Sequence, residues 1–376
     1  PGTVVTRDDI RAGANKLSNL GWFSQVNFKF QGSAKGVEIE FTLQDAASAP
    51  LWFDNFPWFT DAELAAAIRA SGLLYDGTAP ETGTALDAMR EALAQLLKTK
   101  NIEGDVEGEM VQAPESEGMV ERFRVMKTDV RVTSLEFSDA LAQTDPSITH
   151  SVDTIVGKPY SRYFLAVFLS DQVRPVYTSK GYLRVHFGEP VALFAGDPTK
   201  PLANEITLRV TIEPGVLYRW GGATWSGQVV LAGAALDGLL AMKTNEPVDA
   251  ESLEAGWNRV TREYGRRGYL DVKMDRTPEY HDAEARVTYA VHITEGPQYR
   301  MGDLILTGLS LTAERKLLSN WGIPRGDVFD NNYFESFVND GARRIFQDST
   351  VHFTRVEHLL RPNPQTKTVD VLLNFK

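Results

Sequence analysis

The stretch "YRWGGATWSG" at residues 218–227 returns as "YRMGDLILTG" at 299–308, 81 residues further on. Both copies open with Tyr-Arg, place Gly three residues after the Tyr (Gly221, Gly302) and close on Gly six residues later (Gly227, Gly308). Repetition of this kind constrains a fold more than any composition does, because each copy is one supersecondary unit and every copy must fold alike. A second motif shares the period. Gly or Asn, two residues, an often apolar residue and then Ser, Thr or Asp appears as "GTVVT" (Gly2), "GKPYS" (Gly157), "NEPVD" (Asn245) and "GDVFD" (Gly326), with "GTAPE" (Gly77) a degenerate copy. The steps are 75, 80, 88 and 81 residues.

The second motif predicts a turn into a helix. Gly and Asn tolerate positive φ, and the following Ser, Thr or Asp oxygen can accept from the first free helix amides. Thr6 with Asp9 has the spacing of a capping box, with Asp in place of Glu. Helical periodicity follows: Ile10, Ala14, Leu17 and Leu20 share a face, as do Leu86, Met89, Leu93 and Leu96, and Leu253, Trp257, Val260 and Tyr264. Pro175 interrupts the third such helix and predicts an early end or kink. A third motif closes the helix, as "GWFSQV" (Gly21), "GYLRV" (Gly181) and "GYLDV" (Gly268), where Gly suits a left-handed residue past a helix end. Asn101 can play that part in the second copy; the fifth has Gln347 there and departs.

Two alternating strands follow each helix: "VNFKF" with "VEIEFTL", "LDVKM" with "RVTYAVHI", and "VHFTRV" with "VDVLLNF". Polar turn segments separate them, among them "DRTPEYHDAE" and "RPNPQTKT". The Tyr-Arg motif then becomes the first strand of a unit of about 80 residues. The predicted class is α+β: tandem units of strand-helix-helix-strand-strand, each a three-stranded sheet with two helices on one face. The units divide at 1–47 (second half only), 48–128, 129–215, 216–296 and 297–376. The first copy begins where a second helix should start, so the rest of that unit is expected upstream.

Composition narrows the function. A net charge of −11 argues against nucleic acid as a partner. Cysteine is absent, which removes disulfides and thiolate metal sites. No run approaches the 18 apolar residues of a membrane helix; "YFLAVFL" and "VVLAGAALDGLLAM" suit buried helices.

"TEGPQYRMGDLILTG" (294–308), "GYLDV" (268–272) and "LSNLGWFSQV" (17–26), in this order and at this period, resemble POTRA domains, the polypeptide-transport-associated modules of outer-membrane assembly proteins of the BamA type. The resemblance covers nearly the whole chain. The second and third units match more weakly: the second lacks the Gly-aromatic pair and the third carries the insert "GEPVALFAGDPTKPLAN" (188–204). The resemblance implies a periplasmic arm attached to the outer membrane of a Gram-negative-type bacterium. Its implied partners are unfolded outer-membrane proteins, accessory periplasmic lipoproteins and a covalently continuous β-barrel beyond Lys376. It also implies that the second strand of each unit lies at an exposed edge, open to β-augmentation by a client peptide. The expected edges are Tyr182, Leu183, Arg184, Val185, His186 and Phe187, and then Leu270, Asp271, Val272, Lys273 and Met274. Two other readings stay open: a scaffold that spaces a barrel from its partners without binding clients, and the arm of a secretion transporter.

Enzymatic readings find little to stand on. The six histidines are scattered, and His352 and His358, which a strand would place on one face, have no cysteine or acidic pair beside them. "WGGATWSGQVVLAG" has neither phosphate-loop spacing. The aromatic run within "DAASAPLWFDNFPWFTDAEL" reads as a strand feeding a core. Arg266-Arg267 and Arg343-Arg344 end helices, where cations suit the dipole. No catalytic residue, metal ligand or cofactor is expected.

Overall fold

The computed structural model describes residues 5–33, 36–73, 75–113, 118–128, 130–194, 204–347, 351 and 353–376. The chain divides into two compact units, Pro1–Val176 with His186–Glu213, and Tyr177–Val185 with Pro214–Lys376.

In the first, α1 (Arg7–Asn19) starts at the expected capping box: the Asp9 amide donates to Thr6 Oγ1 at 3.2 Å, and the Thr6 amide donates back to Asp9 at 2.8 Å. β1 (Phe23–Ser33) and β2 (Gly36–Asp45) form a two-stranded antiparallel hairpin that sets Phe28 opposite Phe41 and Val26 opposite Leu43. β3 (Ser48–Phe53), α2 (Asp61–Ala70), β4 (Thr78–Pro80), α3 (Thr84–Thr99), β5 (Val106–Gln112) and β6 (Met119–Val125) follow, with sheet order β4-β3-β6-β5. β3 runs parallel to β6, and β6 antiparallel to β5. The core beneath holds Phe53, Phe56, Trp58, Met89 and Leu93, so the aromatic run does feed it. β7 (Arg131–Phe137), α4 (Ala140–Thr144), α5 (Pro146–Ser151) and α6 (Arg162–Phe168) come next. A π-helical turn (Leu169–Val173) then leads into α7 (Arg174–Thr178). β8 (His186–Phe187), β9 (Val191–Phe194), β10 (Glu205–Val210) and β11 (Ile212–Glu213) complete the unit as a β7-β10-β9 sheet and a short β11-β8 ladder.

The second compact unit holds two sheets of identical order. β12 (Arg219–Ser226), α8 (Gly233–Leu240), α9 (Ala250–Arg266), β13 (Lys273–His281) and β14 (Arg286–Thr294) give β12-β14-β13. β15 (Arg300–Thr307), α10 (Leu311–Asn320), α11 (Asn331–Ser336), a π-helical turn (Phe337–Gly341), α12 (Ala342–Phe346), β16 (Val356–Asn363) and β17 (Thr368–Phe375) give β15-β17-β16. In both, the first strand is parallel to the third and the second strand is the antiparallel edge. One core gathers Tyr218, Trp220, Leu236, Trp257, Val260 and Val287; the other gathers Tyr299, Leu317, Phe329, Phe334, Val371 and Phe375. Each such side chain contributes about 1.5–3 kcal/mol by leaving water.

The two sequence motifs prove to be halves of one contact. The Arg of Tyr-Arg, and Arg131 after Val130 in the third copy, reaches 26 residues ahead to the carbonyl of the Gly or Asn that starts the second motif. Arg219 donates to Asn245 at 2.8 Å, Arg300 to Gly326 at 2.8 Å, and Arg131 to Gly157 at 3.4 Å. Those carbonyls belong to left-handed residues, with φ +64°, +88° and +79°. The second copy has Leu51 in the Arg place, and its amide donates to Gly77 at 2.9 Å instead. Gly308 shows why the closing glycine recurs: at φ +82°, a Cβ there would lie 2.0 Å from the Phe375 carbonyl oxygen.

Several expectations need correction. Pro175 does not end its helix early: a π-helical turn precedes it and helix continues to Thr178. The second sheet has four strands, because β4 lengthens what elsewhere is a single bridge (Arg131–Pro159, Arg219–Pro247, Arg300–Val328). "DRTPEYHDAE" is mostly strand: β13 runs on to His281, its open side tolerating Pro278. In "VHFTRV" only Val356 is strand, and His352 lies outside the described residues.

Candidate functional site

The structure relocates the expected edges. Tyr182 to Val185 form a turn, and only His186 and Phe187 are strand, paired with Ile212 and Glu213. The turn follows from Gly181, which at φ +98° ends the helix and turns its carbonyl to accept the Tyr218 amide at 2.8 Å. Leu183 then packs into the core around Tyr218, and Val185 is buried. The Arg184 guanidinium lies 3.4 Å from the Tyr218 hydroxyl, 3.5 Å from Asp282 and 5.2 Å from the Tyr280 ring centre. The Tyr218 hydroxyl donates to Asp282 at 2.6 Å. Burial, aided by this bond, holds the phenol above its ordinary pKa.

"GYLDV" repeats the device. Gly268, at φ +83°, accepts the Tyr299 amide at 2.8 Å. A Cβ on Gly268 would sit 2.6 Å from the Tyr299 carbonyl oxygen. Leu270 packs into the core around Tyr299, while Val272 and Met274 pack into the preceding core around Trp257. Asp271 accepts from the Tyr299 hydroxyl at 2.7 Å. Burial and this bond push the Tyr299 phenol up to about 12. Leu270 and Asp271 are turn residues and Val272 lies outside any strand; Lys273 and Met274 open β13. Alternation in "GYLDV" reflects residues shared between neighbouring cores, which mimics a half-buried strand.

The sheet edges themselves differ in chemistry. In the third repeat the edge is β9, within the stretch read as an insert; residues 195–203 after it lie outside the described residues. β9 pairs with β10 on one side and, among the described residues, with nothing on the other. Val191 is 53% exposed and Leu193 37%, while Phe194 stacks on Trp58 at 6.4 Å. Val-Ala-Leu-Phe carries a strand signal, but it is only four residues long and sits among Gly, Pro and Asp. β13 and β16 are longer and each contains a proline, Pro278 and Pro362. Proline and charge are how natural sheets blunt an edge.

Beside β9 runs a polar joint between the second and third repeats. Asp54, 5% exposed, accepts from Ser161 Oγ at 2.9 Å and from the Tyr163 amide at 2.9 Å, and pairs with Arg122 at 3.6 Å. It thereby serves the N-terminus of α6, where a carboxylate is favoured. Arg162 pairs with Asp61 at 2.7 Å and Glu189 at 3.2 Å. Arg122 also binds Glu109, holding that carboxyl below its ordinary pKa, and lies 4.9 Å from the Tyr163 ring centre.

Among the described residues, no group of three His, Cys, Asp or Glu side chains could hold a metal ion, and no helix is long and apolar enough to cross a membrane.

The family model "POTRA: Surface antigen variable number repeat" matches residues 218–296. The chain is 24% identical over 204 residues to a "Putative outer membrane protein assembly factor" of Treponema pallidum (strain Nichols). That match covers 54% of this chain and 24% of the relative, so the chain spans about a quarter of the relative's length. Among solved structures it is similar to Haemophilus influenzae BamA POTRA3-5, with TM-score 0.45 and 18% identity over 66% of this chain and 96% of that one. It is also similar to POTRA1-3 of the periplasmic domain of Omp85 from Anabaena, with TM-score 0.28 and 17% identity over 65% and 95% of the two chains.

Proposed function

Since the POTRA family model matches residues 218–296 and the sheet of β15–β17 repeats the strand order found there, we propose that the chain is the periplasmic arm of a bacterial outer-membrane assembly factor. Its units divide at 1–47, 48–128, 129–215, 216–296 and 297–376. The arm receives unfolded outer-membrane proteins, docks accessory periplasmic lipoproteins and continues into an outer-membrane β-barrel. The likeness to the Treponema protein supports the assembly role. Client binding rests on one observation: β9 offers an unpaired, proline-free, partly apolar edge among the described residues. An extended peptide adding to it gains main-chain hydrogen bonds that read little sequence, which suits a receiver of many clients. The start of β13 at Lys273 and Met274 is the second acceptor.

The test replaces both exposed β9 side chains, Val191→Lys with Leu193→Lys, which charges the edge without touching the core. Binding of a fluorescent outer-membrane-protein peptide should weaken at least tenfold while circular dichroism stays unchanged. Equal binding by parent and variant removes β9 as the acceptor. A parent chain that binds no such peptide leaves the spacer reading in its place.

A further inference from the structure

The two sheets of the second compact unit differ on the face turned away from their helices. In the fifth repeat the registers set Ile305 of β15 and Leu359 of β16 on either side of Leu372 of β17. Ile305 is 41% exposed and Leu359 50%, and Leu372 between them is half-buried. Their neighbours Leu304, Leu306 and Leu360 point the other way, into the helix-covered core. The three aliphatic side chains therefore form one row across the outer face. The fourth repeat has the same strand order, and at the same registers its row is Thr224, Ala290 and Thr277. The fold itself does not require an apolar row there, because a sheet face turned to water is normally polar. Contiguous apolar groups on such a face point to a contact.

The charges beside the row say what the contact is. On one side stand Asp303 on β15, Asp370 on β17 and Arg361 on β16; Asp370 and Arg361 are register partners, and the Asp303 amide donates to Asp370 at 2.7 Å. Asp303 also pairs with Arg325 at 2.7 Å, whereas Arg361 is exposed and makes no ion pair among the described residues. Two acids and two arginines thus balance at that end. On the other side stand Thr307, Asn374 and Glu357, and Glu357 is bound by Arg355 and Lys376. One positive charge per copy is left over there, a small cost to any pairing of like faces. Acid lies on the β15 flank and open base on the β16 flank, with the apolar row centred on β17. A two-fold axis laid along β17 exchanges those flanks. It sets Ile305 against Leu359 of a second copy, Leu372 against its own equivalent, and Asp303 against Arg361 of the second copy. Apart from the Leu372 pair on the axis, each contact is made twice. Sheets packed face to face keep their strands within about 30° of each other, so the rows stay matched at the centre.

We infer that the outer face of the fifth repeat packs against the same face of a second copy of this chain, two-fold related about β17. The inference goes beyond the client-binding reading and does not depend on it. Three strands of 8 residues each, spaced about 4.8 Å apart, cover roughly 400 Å². Two copies then bury roughly 800 Å² together, the size of a weak, reversible complex. Sedimentation equilibrium of the full chain tests this. The mass should rise from that of one chain toward that of two as the concentration goes from about 20 μM to about 1 mM. Leu359→Asp, at the exposed end of the row, should keep the chain monomeric throughout. Arg361→Glu should weaken association about tenfold, because it sets acid against Asp303 twice. Asp303→Lys should do the same by setting cation against Arg361. An equimolar mixture of the two charge variants should associate as the parent does, since every acid then meets a base across the axis. All three positions are exposed, and circular dichroism checks that each variant keeps the parent's fold. The inference is overturned by a parent chain that stays monomeric at the highest concentration, by association that Leu359→Asp leaves unchanged, or by a mixture that associates no better than its two components alone.

Discussion

Two joints between neighbouring repeats do the same mechanical task with different chemistry. The joint at Asp54 is a side-chain network in which one buried carboxylate collects Ser161, the Tyr163 amide and Arg122. The joint at Gly268 is a backbone hydrogen bond to Tyr299, with Leu270 set into the next core and Asp271 on the Tyr299 hydroxyl. The first depends on charges that must all be paired, the second mostly on chain geometry and apolar burial. A network is only as good as its least satisfied member, so the two should fail under different insults.

The sharpest way to separate them is Asp54→Ala. It leaves Arg122 with one acid fewer and strips the Tyr163 amide at the α6 terminus of its acceptor in a buried place. Removing one partner of a buried pair costs about 3–5 kcal/mol. The urea midpoint of the first compact unit should fall accordingly; a loss under about 1 kcal/mol would mean that water replaces the carboxylate and the network carries little. Next in size is Gly268→Ala. It forces a left-handed φ on alanine and drives a Cβ into the Tyr299 carbonyl, at a cost of about 2 kcal/mol or more. A drop confined to the β12–β17 half, followed by hydrogen exchange, is the expected result. Wild-type stability there would show that the chain can close this joint without the Gly conformation.

The contrast also explains what could be read from the amino-acid order. The Gly268 joint is written in consecutive residues and repeated at Gly181, so its existence was legible as a motif. Its role was not. Leu270 and Val272 alternate as a half-buried strand does, yet they serve two cores through a turn. The Asp54 joint joins residues up to 109 apart with no period, and nothing local announces it. The edge position of the second strand was implied by the family resemblance, whereas β9 was hidden by its length. Four residues between Pro190 and Ala195 carry too little pattern to outweigh a Gly- and Pro-rich setting.

A smaller effect distinguishes the joints at high pH. The Tyr299 phenol is held up to about 12, so its neutral form is favoured in the folded chain. The sign follows: the stabilisation is complete below the ordinary tyrosine range near 10 and is lost as pH rises from there through 12. Tyr299→Phe removes the hydroxyl bond to Asp271 at a cost of about 1 kcal/mol at neutral pH. It should also flatten the alkaline loss of stability in the β15–β17 half. An alkaline profile identical in parent and variant would assign that loss to another phenol of that half, such as Tyr333 with its raised pKa.

The smallest expected effect lies at the acid end and belongs to the polar joint. Bonding to Arg122 lowers the Glu109 pKa, so its ionised form is favoured in the folded chain. That contribution is complete above the ordinary glutamate range and is lost as pH falls through the lowered value. The carboxylate is partly exposed and screened by water, which limits its share to well under 1 kcal/mol. Glu109→Gln keeps the shape and deletes the charge. Urea titrations of parent and variant should therefore differ slightly at pH 7 and converge as the parent is taken toward pH 3. A gap that persists at pH 3 would trace the difference to packing around Arg122 and remove charge pairing with Glu109 from the account of this joint.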